Sequence, residues 1–145
     1  MEFWINPEGK FVFMSPSCKR ITGHDASEFT DDPSFLPNII HPEDLPAFDR
    51  HRQEEEEKEG PIQEFEFRIF HADGSIRWVG HVCQRIFDEE GRFLGIRGSN
   101  RGITKSKRAE EALRESETKF RELTNASPAG IVVYRGSQLL LVNPA

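Results

Sequence analysis

The chain is short of several things, and each shortage narrows what it does. It has two cysteines in 145 residues, Cys18 and Cys83, and they show no Cys-x-x-Cys spacing. That pattern fits a reducing compartment and offers no zinc site. No apolar run approaches the ~20 residues that span a bilayer, and no secretory leader is visible. Basic residues are outnumbered: 19 Lys and Arg against 25 Asp and Glu give a formal net charge of −6. Nucleic acid is therefore not an expected partner. No Ser-His-Asp arrangement, Gly-rich phosphate loop or paired carboxylate stands out, so this segment is not expected to be an enzyme. The expectation is a cytoplasmic segment without membrane contact, with one domain and little left over.

What is present is organised around residues 61–104. Gln63–Phe70 alternates Glu64, Glu66 and Arg68 with Phe65, Phe67 and Ile69, the period of a strand with one buried face. Asp73-Gly74 is a hairpin signal, and Ile76–Phe87 follows as a second strand. Asp88–Arg92 turns into a third, Phe93–Arg101. Charged and apolar residues mix in both long strands, as in an antiparallel sheet with one wet face.

Before this meander, Asn6-Pro-Glu-Gly9 joins two short strands, and the chain begins almost inside the first, as if cut. Ser15–Phe29 reads as short helices, the first stopped by Gly23 and the second opened by an Asp25…Glu28 capping box. Asp31-Asp-Pro33 breaks again. Phe35, Leu36, Ile39 and Ile40 fall at helical spacing, facing a core. His41-Pro-Glu-Asp44 opens a longer helix with Pro46 in its first turn. That helix is expected to reach about Glu59, with Leu45 and Phe48 inward, Glu54–Glu57 as a solvated end and Gly60-Pro61 as its stop. Strands, then helices, then strands imply an α+β domain with helices on one sheet face.

From Lys105 the character changes. Ala109, Leu113, Ser116, Phe120, Leu123 and Ser127 recur at spacings of 4, 3, 4, 3, 4 amid charged residues. This is a narrow heptad seam suited to pairing with a second copy; the alternative is an amphipathic helix lying on its own domain. A helix over 105–126 would be about 33 Å long. Pro128 ends it, and Ile131–Val142 reads as another hairpin. The two ends are alike: Phe3–Met14 closes in Ser15-Pro16, and Ile131–Val142 closes in Asn143-Pro144, as tandem domains would.

Four stretches together carry a resemblance. They are Asn6-Pro-Glu-Gly9 with Ser15-Pro16; Ile40-His-Pro-Glu-Asp44; Phe65-Glu-Phe-Arg68 with Asp73-Gly-Ser-Ile-Arg-Trp78 and Asp88-Glu-Glu-Gly91; and Gly102-Ile-Thr104 running into Lys105–Leu113. Nearly the whole chain resembles a PAS domain with its PAC segment (1–104), of the subgroup with a His-Pro-Glu-Asp motif. A signalling helix (105–127) and the truncated start of a second PAS domain (128–145) follow. The resemblance implies a PAS fold with a five-stranded antiparallel sheet in the order 2-1-5-4-3, short helices closing one face, and a pocket between them. It also implies a sensory relay module, most often of a histidine kinase in a two-component phosphorelay, with diguanylate cyclases and phosphodiesterases as alternative parents. A constitutive dimerisation module without ligand is the other reading. The family usually has Asp where this chain has Gly102, an acid thought to anchor the exit helix; Gly102, Ile103 and Thr104 are thus the hinge to the helix.

Site expectations follow. Phe35, Leu36, Ile39, Ile40, Phe48, Phe65, Phe67, Trp78, Val82 and Ile96 are candidate walls of a ligand pocket or, on the plainer reading, core. Ala109, Leu113, Ser116, Phe120 and Leu123 are the candidate dimer and relay surface, which makes a homodimer and a downstream domain of the same chain the expected partners. The haem-binding branch of the family uses a His on the long helix; His51 is there, but Asp49, Arg50 and Arg52 surround it, so it is expected to be solvated and haem absent. His41 is expected to cap the turn before that helix, and His24, His71 and His81 show no metal-ligand spacing. Neither cysteine matches the flavin-binding branch's reactive motif, so no flavin is expected and both thiols should be small buried side chains. Gly95 and Gly98 should mark the close approach of another backbone. No metal and no defined cofactor are expected, an unidentified small molecule apart.

Overall fold

In the computed structural model, residues 1–57, 64–126, 132–136 and 138–142 are described. The chain divides into two compact units, Met1–Thr104 and Lys105–Ala145. In the first, β1 (Glu2–Ile5) and β2 (Phe11–Met14) form the opening hairpin. Four helices follow: α1 (Cys18–Thr22), α2 (Ala26–Asp31), α3 (Phe35–Ile39) and α4 (Leu45–Glu57). The meander is β3 (Glu64–Phe70), β4 (Ile76–Phe87) and β5 (Phe93–Gly102). All pairings are antiparallel and the strand order is β2-β1-β5-β4-β3, so the mixed α/β fold and its sheet are those the resemblance implied. In the second unit, α5 (Thr104–Asn125, its first residue belonging to the first unit) precedes the two-stranded sheet of β6 (Val132–Arg135) and β7 (Gln138–Val142). No helix among the described residues is long and apolar enough to cross a membrane.

Several local expectations have visible causes. α1 stops because Gly23 takes φ of +84° and donates its N–H to Lys19 O at 2.8 Å, a left-handed helix end that a side chain resists. α2 starts at the Asp25 capping box, with Asp25 N–H donating to Glu28 Oε2 at 2.8 Å. Pro46 sits inside the first turn of α4, where its missing N–H costs nothing. The predicted end of α4 at Glu59, the Gly60-Pro61 stop, Pro128, and the start of the last hairpin at Ile131 lie outside the described residues. So does the side-chain placement of Val132, Val133 and Leu139–Leu141.

The core lies between the inner sheet face and α1–α4. Phe29, Phe67, Ile40, Ile69, Val79 and Cys18 are its most buried apolar members. Burial pushes the Cys18 thiol pKa up, consistent with an inert apolar side chain.

The His-Pro-Glu-Asp segment ties the helices to the sheet. Ile40 bridges Ile69, and His41 N–H donates to Arg68 O at 2.8 Å. Asp44, just before α4, accepts from Arg68 N–H at 2.7 Å, Nε at 2.9 Å and Nη2 at 2.6 Å, while Glu43 accepts from Nη2 at 2.9 Å. β3 is an edge strand, so this clip also covers part of an edge that would otherwise template aggregation. The Arg68 bonds hold the Asp44 carboxyl below the usual carboxylate range, against a partial loss of hydration that acts the other way.

A depressed carboxylate pKa contributes stability that is present above the unfolded value of about 4 and is lost as pH falls through the lower folded value. Asp44→Asn should therefore lower the urea midpoint at pH 7, and its gap from wild type should shrink below about pH 4. Urea melts at a series of pH values check this; a gap that stays constant down to the acid limit would remove the clip from the account.

Candidate functional site

A cavity of about 340 Å³ opens between the β1–β2 turn, β5, α3 and α4. Its apolar lining includes Phe3, Ile5, Phe11, Leu36, Phe48 and Ile96; Asn6, Glu8 and Arg52 also border it, as do His51 and His81. That volume suits a small ligand, with apolar walls for affinity and a few polar groups for orientation.

Of the ten side chains proposed as pocket walls, Leu36, Phe48 and Ile96 line this cavity. Ile39, Ile40 and Phe67 are buried in the core, and Phe35 and Phe65 pack against it. Trp78 and Val82 are corrections. On β4 the buried positions are Val79, His81 and Cys83, so Trp78 and Val82 belong to the opposite sheet face. Pairing explains the parity: Phe67 opposes Val79, and Arg68 opposes Trp78, with the Arg68 guanidinium 5.5 Å from the Trp78 ring centre. β4 has apolar residues on both faces, so hydrophobicity alone pointed to the wrong one.

His51 is the second correction. It is not solvated: it is 8% exposed, and its ring stacks on Phe65 at 4.9 Å between centroids. Asp49, Arg50 and Arg52 are its neighbours in sequence, but on a helix each successive residue turns about 100° away, and all three are exposed. The buried Phe48, three residues back, shares the face of His51.

His51 does not stand alone. Its Nε2 lies 3.6 Å from Cys83 Sγ, and its ring meets His81 edge-on at 5.2 Å. His81 Nδ1 is 2.7 Å from Asn100 Oδ1 across the β4–β5 ladder. Phe3 stacks on His81 at 5.7 Å between centroids. Both histidines, Cys83 and Asn100 are buried. Sequence reading missed this cluster because its parts lie on three elements. The available signal was His81-x-Cys83, two residues that share one face of a strand.

Gly95 and Gly98 also have their explanation. A Cβ at Gly95 would fall 2.1 Å from Ile5 O, the backbone approach that was expected; one at Gly98 would fall 2.0 Å from the Phe3 ring, a side chain rather than a backbone. The exit is defined by two bonds: Ile103 N–H donates to Trp78 O at 2.9 Å, and Trp78 N–H donates to Thr104 Oγ1 at 2.8 Å. Ile103 is buried, while a Cβ at Gly102 would meet nothing within 4 Å. Along α5 the seam residues Ala109, Leu113, Ser116, Phe120 and Leu123 are all exposed, Leu123 at 74%.

Comparison with known proteins agrees with this architecture. The sequence profile of the PAS fold matches residues 11–100. A sensory box histidine kinase/response regulator from Burkholderia thailandensis is 25% identical, with 83% of this chain and 89% of that one covered and a TM-score of 0.62. The PAS domain of a Colwellia psychrerythraea protein is 23% identical, covering 72% and 86% respectively, at a TM-score of 0.60. The N-terminal domain of a diguanylate cyclase with PAS/PAC sensor from Marinobacter aquaeolei is 20% identical, covering 72% and 95%, at 0.63. No protein of curated function matches the chain.

The two faces of the sheet can be told apart by truncation. Phe67→Ala, deep in the core, should cost about 3–5 kcal/mol, and Trp78→Ala on the outer face should cost clearly less. Chemical denaturation of both variants checks the assignment; a Trp78→Ala loss equal to that of Phe67→Ala would put Trp78 back inside.

Proposed function

The chain belongs to the PAS fold family, and from that premise we propose that it is a sensory relay module of a multidomain signalling protein, by preference a sensor histidine kinase. The observation that carries the reading is the junction after β5. Trp78, bonded through its N–H and C=O to Thr104 and Ile103, stands on the strand that sends His81 to the cavity. A change in cavity occupancy that shifts β4 is thereby handed to the first residue of α5. The cue must bind two packings of the domain unequally, since an occupant indifferent to them shifts nothing. The cavity lining suits a small, largely apolar molecule; haem and flavin have no part in the reading.

The output is α5. Its exposed stripe from Ala109 to Leu123 has the spacing of a two-stranded seam, so the working unit is a homodimer. The change then passes to a downstream domain of the same chain, and the β6–β7 hairpin opens that further domain. A cytoplasmic placement belongs to the same proposal. The Burkholderia relative supports a kinase parent, and the Marinobacter relative supports the alternative of a diguanylate cyclase; a phosphodiesterase parent is a further alternative. The exposed stripe also supports a second reading, a constitutive assembly module that dimerises without any cue.

Native mass spectrometry of the gently purified chain separates these readings. The relay module is expected as a dimer that carries the extra mass of a small molecule, or takes one up from a ligand library. A dimer that binds nothing would favour the assembly module, and a monomer would sink the seam common to both. Phe120→Glu or Leu123→Glu should convert the dimer to monomer, because each places a charge in the seam; an unchanged mass by light scattering would count against it. Gly102→Asp should melt within about 0.5 kcal/mol of wild type, since an exposed position with room for a side chain is rarely costly.

A further inference from the structure

We propose that His51, His81 and Cys83 form a binding site for a zinc-class transition-metal ion at the inner end of the cavity. The inference is independent of the relay reading, since a metal can bind whether or not α5 transmits anything. One ring nitrogen of each histidine and the Cys83 sulfur all lie within 4.8 Å of one another, and all three residues are buried. Tetrahedral zinc, with Zn–N of about 2.0 Å and Zn–S of about 2.3 Å, holds a nitrogen and a sulfur about 3.5 Å apart. His51 Nε2 and Cys83 Sγ are already 3.6 Å apart. The remaining separations need to close by about 1.5 Å at most to reach that geometry.

The donor chemistry selects the ion. Two imidazoles and a thiolate suit zinc and its neighbours; magnesium and calcium prefer oxygen ligands. Asn100 supplies the outer partner that metal-bound histidines have. Asn100 Oδ1 lies 2.7 Å from His81 Nδ1, and in the proposed site it accepts the Nδ1 proton while Nε2 serves as the ligand. Binding converts the Cys83 thiol to thiolate, and its proton leaves to solvent. Three protein ligands leave a fourth position, and His51 and His81 border the cavity, so a water or a donor atom of a cavity occupant completes the set. His81-x-Cys83 is the part of the set that spacing shows; His51 joins it from α4, 30 residues before His81.

The test uses the whole reduced chain, stripped with chelator and titrated with Co²⁺. One equivalent should bind with the visible absorption of tetrahedral cobalt and a thiolate-to-cobalt charge-transfer band, and one equivalent of Zn²⁺ should displace it. Cys83→Ser should lose the charge-transfer band and bind at least about 10-fold more weakly, while Asn100→Ala should keep the band and weaken binding by about 10–100-fold. His24→Gln, at a histidine outside the cluster, should change neither. No uptake by the wild-type chain, a pale octahedral spectrum without charge transfer, or uptake unaffected by Cys83→Ser would each overturn the proposal and leave the cluster as a polar network of the core. The wild-type cobalt spectrum decides the matter even where a variant fails to fold.

Discussion

Strand β1 lies against β5 with no room for a side chain at two points of its partner. At Gly95 a Cβ would meet the Ile5 carbonyl, and at Gly98 it would meet the Phe3 ring. Everything on the inner face depends on this approach. It lets the first strand of the five-stranded sheet lie at its centre beside the last, β5. It seats Phe3 against His81 and edge-on to Phe11, with ring centres 5.6 Å apart in the latter pair. The same residues become walls of the cavity. Larger side chains at positions 95 and 98 would push β1 outward and open the core, because interiors are packed too closely to absorb the displacement.

The helices are held over this sheet by a different kind of force. Apolar burial draws α2, α3 and α4 onto the sheet without fixing where along it they sit, since it is non-directional. The bonds from Arg68 to Glu43 and Asp44 supply direction: a planar guanidinium meets a carboxylate in a fixed geometry. With the start of α4 set against β3, the helix carries Phe48 and His51 over Phe65, Phe67 and β4. The clip and the buried His-Cys cluster are thus two ends of one arrangement, the first on the sheet edge and the second under the middle of the helix.

The cavity is bordered by two imidazoles, one of them on β4, and the same strand is bonded at Trp78 to the exit residues Ile103 and Thr104. Trp78 has a double position: its backbone holds Ile103 and Thr104, and its side chain lies beneath Arg68 on the outer face. Trp78 thus adjoins the edge clip through Arg68 and the start of α5 through one backbone bond to Ile103 and one bond to the Thr104 hydroxyl. Along α5 the large apolar residues Leu113, Phe120 and Leu123 are exposed, in contrast to the buried apolar residues of the first unit.

How much of this was legible beforehand depends on the kind of signal. Periodicity and turn chemistry located β4 at Ile76–Phe87 as observed, and located the Gly23 stop and the Asp25 capping box, because backbone conformation there is set by residues within a few positions. The strand order came with the family resemblance rather than from the residues themselves. Which face of β4 turns inward was not legible, since Trp78, Val79 and Val82 are all apolar and only the pairing of Val79 with Phe67 decides between them. Nor was the burial of His51, whose charged sequence neighbours point elsewhere on the helix. By itself, then, the sequence determined the local elements, their approximate bounds and the narrow seam of α5. Tertiary structure alone decided which side chains share the cavity and that two histidines, a cysteine and an asparagine meet, because such meetings depend on packing between elements that no local pattern encodes.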